Sequence, residues 1–352
     1  MRYSLAIICV LILIACQTNN STTTTSTSAT QKEANKPSVS KEKPSFPTTG
    51  SIERVDPAID ALIPKDAVIE VLADGFSWTE GPLWIEDGQY VLFSDIPPNR
   101  VMKWSEKEGL SLYLQPSGYT GIIEREGEPG SNGLLLDANG QLVLCQHGDR
   151  RMARMTAPIQ APKSEFVTII DKFNGKQLNS PNDAIYDSQG NLYFTDPPYG
   201  LEGQVDDPAK EIDFQGVYRY SNDGVLRLIT DKLTRPNGIA FSPDEKTLYV
   251  ACSDPKIATW TAFVLNEDGT VASEKLFYDA TGSAGKGLPD GMKVDKKGNV
   301  WATGPGGVWV FNAEGKVLGK IKTGEATSNC AFDASQKTLY MTCDDYLMRI
   351  RL

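Results

Sequence analysis

The chain has 352 residues, with 35 Lys and Arg against 45 Asp and Glu, a formal charge of −10 and 40% apolar residues. That apolar content supports a real core and excludes global disorder, while the acidic balance argues against nucleic-acid binding, because a phosphate backbone wants a basic surface. The single histidine, His147, excludes any centre needing two or more, such as an HExxH zinc site.

Residues 1–15 read MRYSLAIICVLILIA. Arg2 and the apolar run after it suit a signal peptide, the run being too short to span a bilayer as a mature helix. Leu13-Ile14-Ala15-Cys16 resembles a lipobox, in which the cysteine is acylated and becomes the first residue of the mature chain. Gln17 follows rather than Asp, which in a Gram-negative bacterium resembles outer-membrane sorting. The expectation is a bacterial cell-envelope protein, lipid-anchored through Cys16, on the periplasmic side of the outer membrane if the bacterium is Gram-negative. Residues 16–50 are rich in Ser, Thr, Lys and Pro, with Phe46 the only aromatic, and read as a flexible tether. The folded domain is expected at 51–352.

That domain repeats one unit: an apolar strand, a turn of Asp, Asn or Gly, and a second apolar strand. The copies are LWIEDGQYVLFSD (83–95), LLLDANGQLVLCQ (134–146), AIYDSQGNLYFTD (184–196), IAFSPDEKTLYVACSD (239–254), MKVDKKGNVWATG (292–304) and CAFDASQKTLYMTCDD (330–345). The turns carry hairpin signals and the strands are short, aromatic and β-branched. The starts lie 51, 50, 55, 53 and 38 residues apart, leaving room for two more strands in most intervals. Four strands at that period mark a propeller blade. The chain is therefore expected to be all-β, a six-bladed β-propeller of four-stranded antiparallel blades. The short last unit supplies three strands, and AVIEVLA (67–73) would give the fourth by pairing with 346–351. That closes the ring through the two chain ends and removes exposed edges. Cys330 and Cys343 bracket the last hairpin. An oxidising envelope permits a disulfide between them, but cross-strand geometry often does not, and buried free thiols are the expectation.

Loops leading into the hairpins carry carboxylates and amides at one register: Glu80 in TEGPLW, Asn132 in GSNGLLL, Asn182 and Asp183 in NSPNDA, Asn237 in RPNGIA and Asp290 in LPDGMKV. In a radial fold, equal offsets place side chains at equal depth in the central channel. Glu80, Asn182, Asn237 and Asp290 make an all-oxygen set suited to Ca²⁺, with waters or substrate completing the shell, and poorly suited to copper or structural zinc.

TEGPLW, LNSPNDAIYDSQGNLYFTDPPYG, RPNGIAFSPDEKTLYV and LPDGMKVDKKGNVW resemble the gluconolactonase, regucalcin (senescence marker protein) and luciferin-regenerating enzyme family, over about residues 67–352. The long SPND…TDPPYG string is most similar to the bacterial and fungal gluconolactonase branch. The resemblance implies a six-bladed propeller holding Ca²⁺, or another divalent ion such as Mg²⁺, Mn²⁺ or Zn²⁺, in the channel, and hydrolysis of lactones. It assigns Glu80, Asn182, Asn237 and Asp290 to the metal. Animal regucalcins place a substrate-binding arginine two residues before the third-blade asparagine, and here that position is Ser180. CQHGDRR (145–151) resembles an element of the bacterial branch and brings His147 and Arg150 forward. Asn132, Asn182, Arg150 and Tyr199 are the expected substrate contacts.

A metal-polarised carbonyl still needs a base for the attacking water. Asp290, Asp183 and His147 are the candidates. There is no GxSxG elbow. Two rival readings share this sequence: an aryl ester or phosphotriester hydrolase on the same site, and a non-catalytic tethered sugar-binding propeller. No obligate protein partner is implied.

Overall fold

The structure, a computed structural model, describes residues 46–352; the expected signal peptide, the expected acylation site Cys16 and residues 17–45 of the expected tether lie outside the described residues. Among the described residues, six blades, each an antiparallel sheet, follow one another along the chain, with a separate two-stranded hairpin, Lys172–Phe173 with Lys176–Gln177, between blades two and three. Blade one is Thr79–Ile85, Tyr90–Asp95, Arg100–Ser105 and Gly109–Leu114; blade two is Ser131–Leu136, Leu142–Gln146, Arg151–Met155 and Phe166–Ile170. Blade three is Ala184–Tyr186, Leu192–Asp196, Gly216–Tyr220 and Leu226–Thr230; blade four is Pro236–Phe241, Thr247–Asp254, Ile257–Leu265 and Val271–Asp279. Blade five opens with Met292–Val294, Val300–Gly304, Gly307–Phe311 and Val317–Lys322. Blade six takes Thr327–Phe332, Thr338–Cys343 and Tyr346–Arg351 from the end of the chain and Ile69–Asp74 from its beginning. The expected six-bladed ring and its closure are thus present. The first strand of each blade packs against the first strand of the next, all the way round, so these six line the channel.

Two blades exceed four strands. Ser51–Arg54 adds to the outer edge of blade five, and Thr48–Thr49 adds to blade six beyond Ile69–Asp74. Residues 46–50, read from the sequence as part of the tether, thus include strand residues paired to the propeller's rim. Phe46 packs edge-on against Trp104, and 46–50 belong to the same compact unit as the propeller. The polar composition of 17–50 concealed this, because strand pairing at an edge uses main-chain groups and needs little apolar side chain.

The hairpin turns are built alike. Asp137, Asp187 and Asp295 each accept two N–H groups of their own turn through Oδ1, the local bonding that makes aspartate a turn former. The core lies in six wedges, one between each pair of neighbouring blades. Leu92 and Val101 of blade one meet Leu142 and Leu144 of blade two. Trp260 of blade four meets Trp309 and Phe311 of blade five. All four cysteines of the domain are buried and free. Cys330 stands opposite Met341 and Cys343 opposite Thr327, so the two thiols do not face each other.

Around the channel, neighbouring blades are joined by hydrogen bonds to main-chain carbonyls. Ser94 Oγ donates to Asn132 O at 2.8 Å, Thr195 Oγ1 to Asn237 O at 2.7 Å, Thr303 Oγ1 to Ser328 O at 2.9 Å, and Ser328 Oγ to Thr79 O at 2.6 Å. Ser253 Oγ reaches Pro289 O in the same manner, and between blades two and three the donor is Gly133 N, 2.8 Å from Asn182 O. Such closeness needs small residues. A Cβ at Gly81 or Gly238 would lie 2.2 Å from the carbonyl oxygen of Asn132 or Asp290 in the next blade.

The closing seam carries a buried arginine. Arg349 pairs with Glu70 on the N-terminal strand and with Glu106 of blade one, and its guanidinium lies over the rings of Phe46 and Trp104. Removing one member of a buried pair leaves the other desolvated. Arg349→Ala should destabilise the fold by about 3 kcal/mol, read as a lower urea midpoint with an unchanged m value.

Candidate active site

The loops that carry the register residues are held by carboxylates at the ends of the second strands. Asp95 Oδ1 accepts from the N–H groups of Ser77 and Trp78, just before Glu80. Asp196 accepts from Asn179 N and Ser180 N at 2.8 Å, just before Asn182. Burial pushes the Asp196 carboxyl up to about 7 against the pull of those two N–H groups.

Five of the register side chains, Glu80, Asn132, Asn182, Asn237 and Asp290, line one cavity of about 320 Å³ at the starting ends of the innermost strands. Tyr199 lines it too, as expected. Glu128, Trp78, Arg235 and Ser253 also stand in the wall and are not among the expected residues. The sixth blade supplies Asn329, whose Nδ2 lies 3.3 Å from Glu80 Oε2 while its Oδ1 accepts from Cys330 N at 2.8 Å. Asn329 therefore orients Glu80 from behind. It sits at the same register in SNCAF, directly ahead of the sixth hairpin, and that offset is the signal that marks it in the sequence.

The remaining expected residues lie elsewhere. Asp183 is buried but opens on a second, largely apolar cavity farther along the channel; its Oδ1 accepts from Ala184 N and its Oδ2 has no partner. His147 is buried and does not line the first cavity; its Nδ1 lies 3.3 Å from Glu128 Oε2. Arg150 is also off the cavity, donating to the carbonyls of Leu178, Asn179 and Ala209. These bonds hold its guanidinium against loop carbonyls. Ser180 Oγ donates to Pro197 O and is buried outside the cavity.

The site is electrostatically one-sided. Burial, opposed by the Gly81 N–H and reinforced by Asp183 and Glu128, pushes the Glu80 carboxyl up to about 8. Asp290 is held well above the carboxylate range by burial and by Glu80, Asp183 and Glu128. Burial also raises the Tyr199 phenol, with Asp290 adding to it, so Tyr199 stays a donor. Asp290 Oδ1 and Asn132 Oδ1 are buried with no hydrogen-bond partner. Asn237 commits its Nδ2 to Ser253 Oγ at 2.8 Å, which leaves Oδ1 for the cavity. Unpartnered acceptors beside carboxylates that resist ionisation are what a hard cation would satisfy. Among the described residues, no group of three or more His, Cys, Asp and Glu side chains is placed to hold a metal. The oxygen set at the register has two carboxylates, the rest being amides.

The pH dependence follows from these shifts. The folded protein, free of metal, holds a proton on Glu80 up to about 8, whereas the unfolded chain releases it near the ordinary value of 4.5. The resulting stabilisation is fully present below the unfolded value and is lost as pH rises through the folded one. The melting temperature of chelator-treated protein should fall across this window, and Glu80→Gln should flatten the decline.

A family model described as "SMP-30/Gluconolactonase/LRE-like region" matches residues 78–344. The chain is 37% identical over 334 residues to the gluconolactonase of Zymomonas mobilis subsp. mobilis, covering 92% of each chain. It is 26% identical over 272 residues to pentonolactonase XacC of Haloferax volcanii, spanning 75% of this chain and 80% of that one. A solved gluconolactonase from Xanthomonas campestris has a TM-score of 0.74 at 34% identity, over 88% of this chain and 97% of its own.

Proposed function

Because the chain belongs to the SMP-30/gluconolactonase/LRE-like family, we propose that it is a calcium-dependent lactonase that opens sugar lactones to aldonic acids. Lactone or ester hydrolysis in general is supported by its relatives. The observation that carries the finer reading is the convergence of five register side chains on one cavity whose buried acceptors lack partners.

Glu80, Asn182, Asn237 and Asp290 would hold the cation, with Asn132 beside them. A divalent ion there supplies electrophilic polarisation of the lactone carbonyl. The chain's own groups do the rest. Asn329 fixes the Glu80 carboxylate. Tyr199, protonated, and Arg235 offer donors to substrate oxygens from the wall. Trp78 offers an apolar face to the C–H side of a ring. Asp290 has an acceptor oxygen, Oδ1, open to a water proton or to the cation.

A lactone panel assayed with chelator, then with calcium added back, should show activity lost and restored. Calorimetric titration should show that Glu80→Gln and Asp290→Asn weaken calcium binding more than Asn237→Ala, since each carboxylate contributes charge. A protein that binds calcium yet opens no lactone or ester would be the tethered binding module instead.

The lipid anchor is proposed on residues 13–16 alone. Cys16→Ser should move the protein from the membrane fraction to the soluble one or block its maturation, and mass spectrometry should find acyl chains on wild-type Cys16.

A further inference from the structure

The segment 119–130 joins blade one to blade two and hangs Glu128 over the cavity from outside the six-residue register. Its backbone is tied at several points. Asn99 Oδ1 accepts from Ser117 N, Gly118 N and Tyr119 N at 3.0, 2.7 and 3.2 Å. The Arg125 guanidinium donates to Gly148 O and Gly200 O and stacks on the Tyr119 ring. Gly130 N donates to Ile96 O at 3.0 Å.

Behind Glu128 stands the only histidine of the chain. His147 is wholly buried while the Glu128 side chain is about one-third exposed, and Oε2 lies 3.3 Å from Nδ1. Among the described residues neither ring nitrogen has a hydrogen-bond partner, so the 3.3 Å approach of Oε2 to Nδ1 is an ion-pair distance without hydrogen-bond geometry. A buried imidazole without partners calls for an explanation, and the Glu128 carboxylate is the charged group set against it. Two glycines make the approach possible. A Cβ at Gly148 would lie 2.4 Å from Pro129 O, and one at Gly200 would lie 2.6 Å from His147 Cβ. The strings EGEPG, QHG and PYG are therefore one interlocked unit, with Glu128 and Tyr199 its two faces on the cavity.

We propose that Glu128 is the catalytic proton-transfer residue of lactone opening and that His147 is the positioning residue that aims it. The inference rests on the lactonase reading above. Glu80 and Asp290 belong to the register that would hold the cation, and Asp183 opens on the other cavity. Glu128 reaches the same space from a separate element and is free for the proton. Its carboxylate takes one proton from the attacking water as the water oxygen bonds to the lactone carbonyl carbon. The bond from that carbon to the ring oxygen then breaks, and the Glu128 carboxyl gives the proton to the departing ring oxygen. The products are a hydroxyl and a carboxylic acid, which loses its own proton to solvent, and Glu128 ends as it began.

The test uses the full chain with calcium at saturation. Glu128→Gln should lower kcat by at least about 100-fold, the scale of a lost general base, with KM and the calcium titration close to wild type. Formate should restore turnover to Glu128→Ala and leave wild type unaffected. His147→Ala should lower kcat by up to about 100-fold, the scale of lost positioning, again without a matching change in KM. His147→Asn, whose amide can stand where Nδ1 stands, should recover part of that loss. Far-UV circular dichroism and the calcium titration identify any variant that has failed to fold, in which case Glu128→Asp carries the comparison and should be slower than wild type at unchanged KM. If Glu128→Gln or, in that event, Glu128→Asp turns over lactone at the wild-type rate, this proposal is overturned and the lactonase reading stands. If wild type opens no lactone at all, the lactonase reading fails and takes this one with it.

Discussion

A side-chain hydroxyl or main-chain amide of one blade bonded to a main-chain carbonyl of the next is the interaction on which this propeller's function depends. Ser94, Thr195, Ser253, Thr303 and Ser328 provide it, with Gly133 N between blades two and three. The bonds fall at the depth where Glu80, Asn132, Asn182, Asn237, Asp290 and Asn329 enter the channel. Because the main chain is satisfied there by its neighbour, the side chains are released from that duty and can face the cavity. The arrangement tolerates little bulk, which is why glycine follows the register residue in blades one, two, four and five.

That freedom has an electrostatic cost. Glu80, Asp290, Asp183 and Glu128 act on one another in a poorly solvated space, and the first two are pushed toward their protonated forms. Among the described residues, Arg235 is the one basic residue on the cavity wall. The stability of the fold and the readiness of the site therefore pull in opposite directions: each carboxylate that would help to hold a cation weakens the protein when the cation is gone. The apolar wedges between blades, each completed by two sheets, offset this at a distance from the channel.

The blades were legible because each is local. Turn chemistry and strand alternation lie within a dozen residues, so six hairpins could be counted from the chain alone. The register was legible for the same reason: Glu80, Asn132, Asn182, Asn237 and Asp290 stand at fixed offsets from those hairpins and meet in one cavity. What escaped was non-local. His147 and Arg150 sit in a motif that looks catalytic, yet the close approaches of Gly148 and Gly200 bury the first, and main-chain carbonyls occupy the second. Glu128 belongs to no repeat, and its position depends on Arg125 reaching carbonyls 23 and 75 residues away. Residues 46–50 escaped because edge pairing leaves no compositional mark.

Those first residues also decide how load would travel. Gly50, with φ of +64, turns the chain from the rim of blade six at Thr48–Thr49 to the rim of blade five at Ser51–Arg54. A pull on the N-terminal side of Phe46 would meet the two-residue pairing on blade six first and the four-residue pairing on blade five next. Thr48 and Thr49 are themselves paired with Glu70 and Ile69 of the strand that shuts the ring, and the wholly buried Ile59 and Ile63 follow Ser51–Arg54 along the chain. Load entering at Phe46 is therefore shared at once between the closing strand and the apolar wedge beside it.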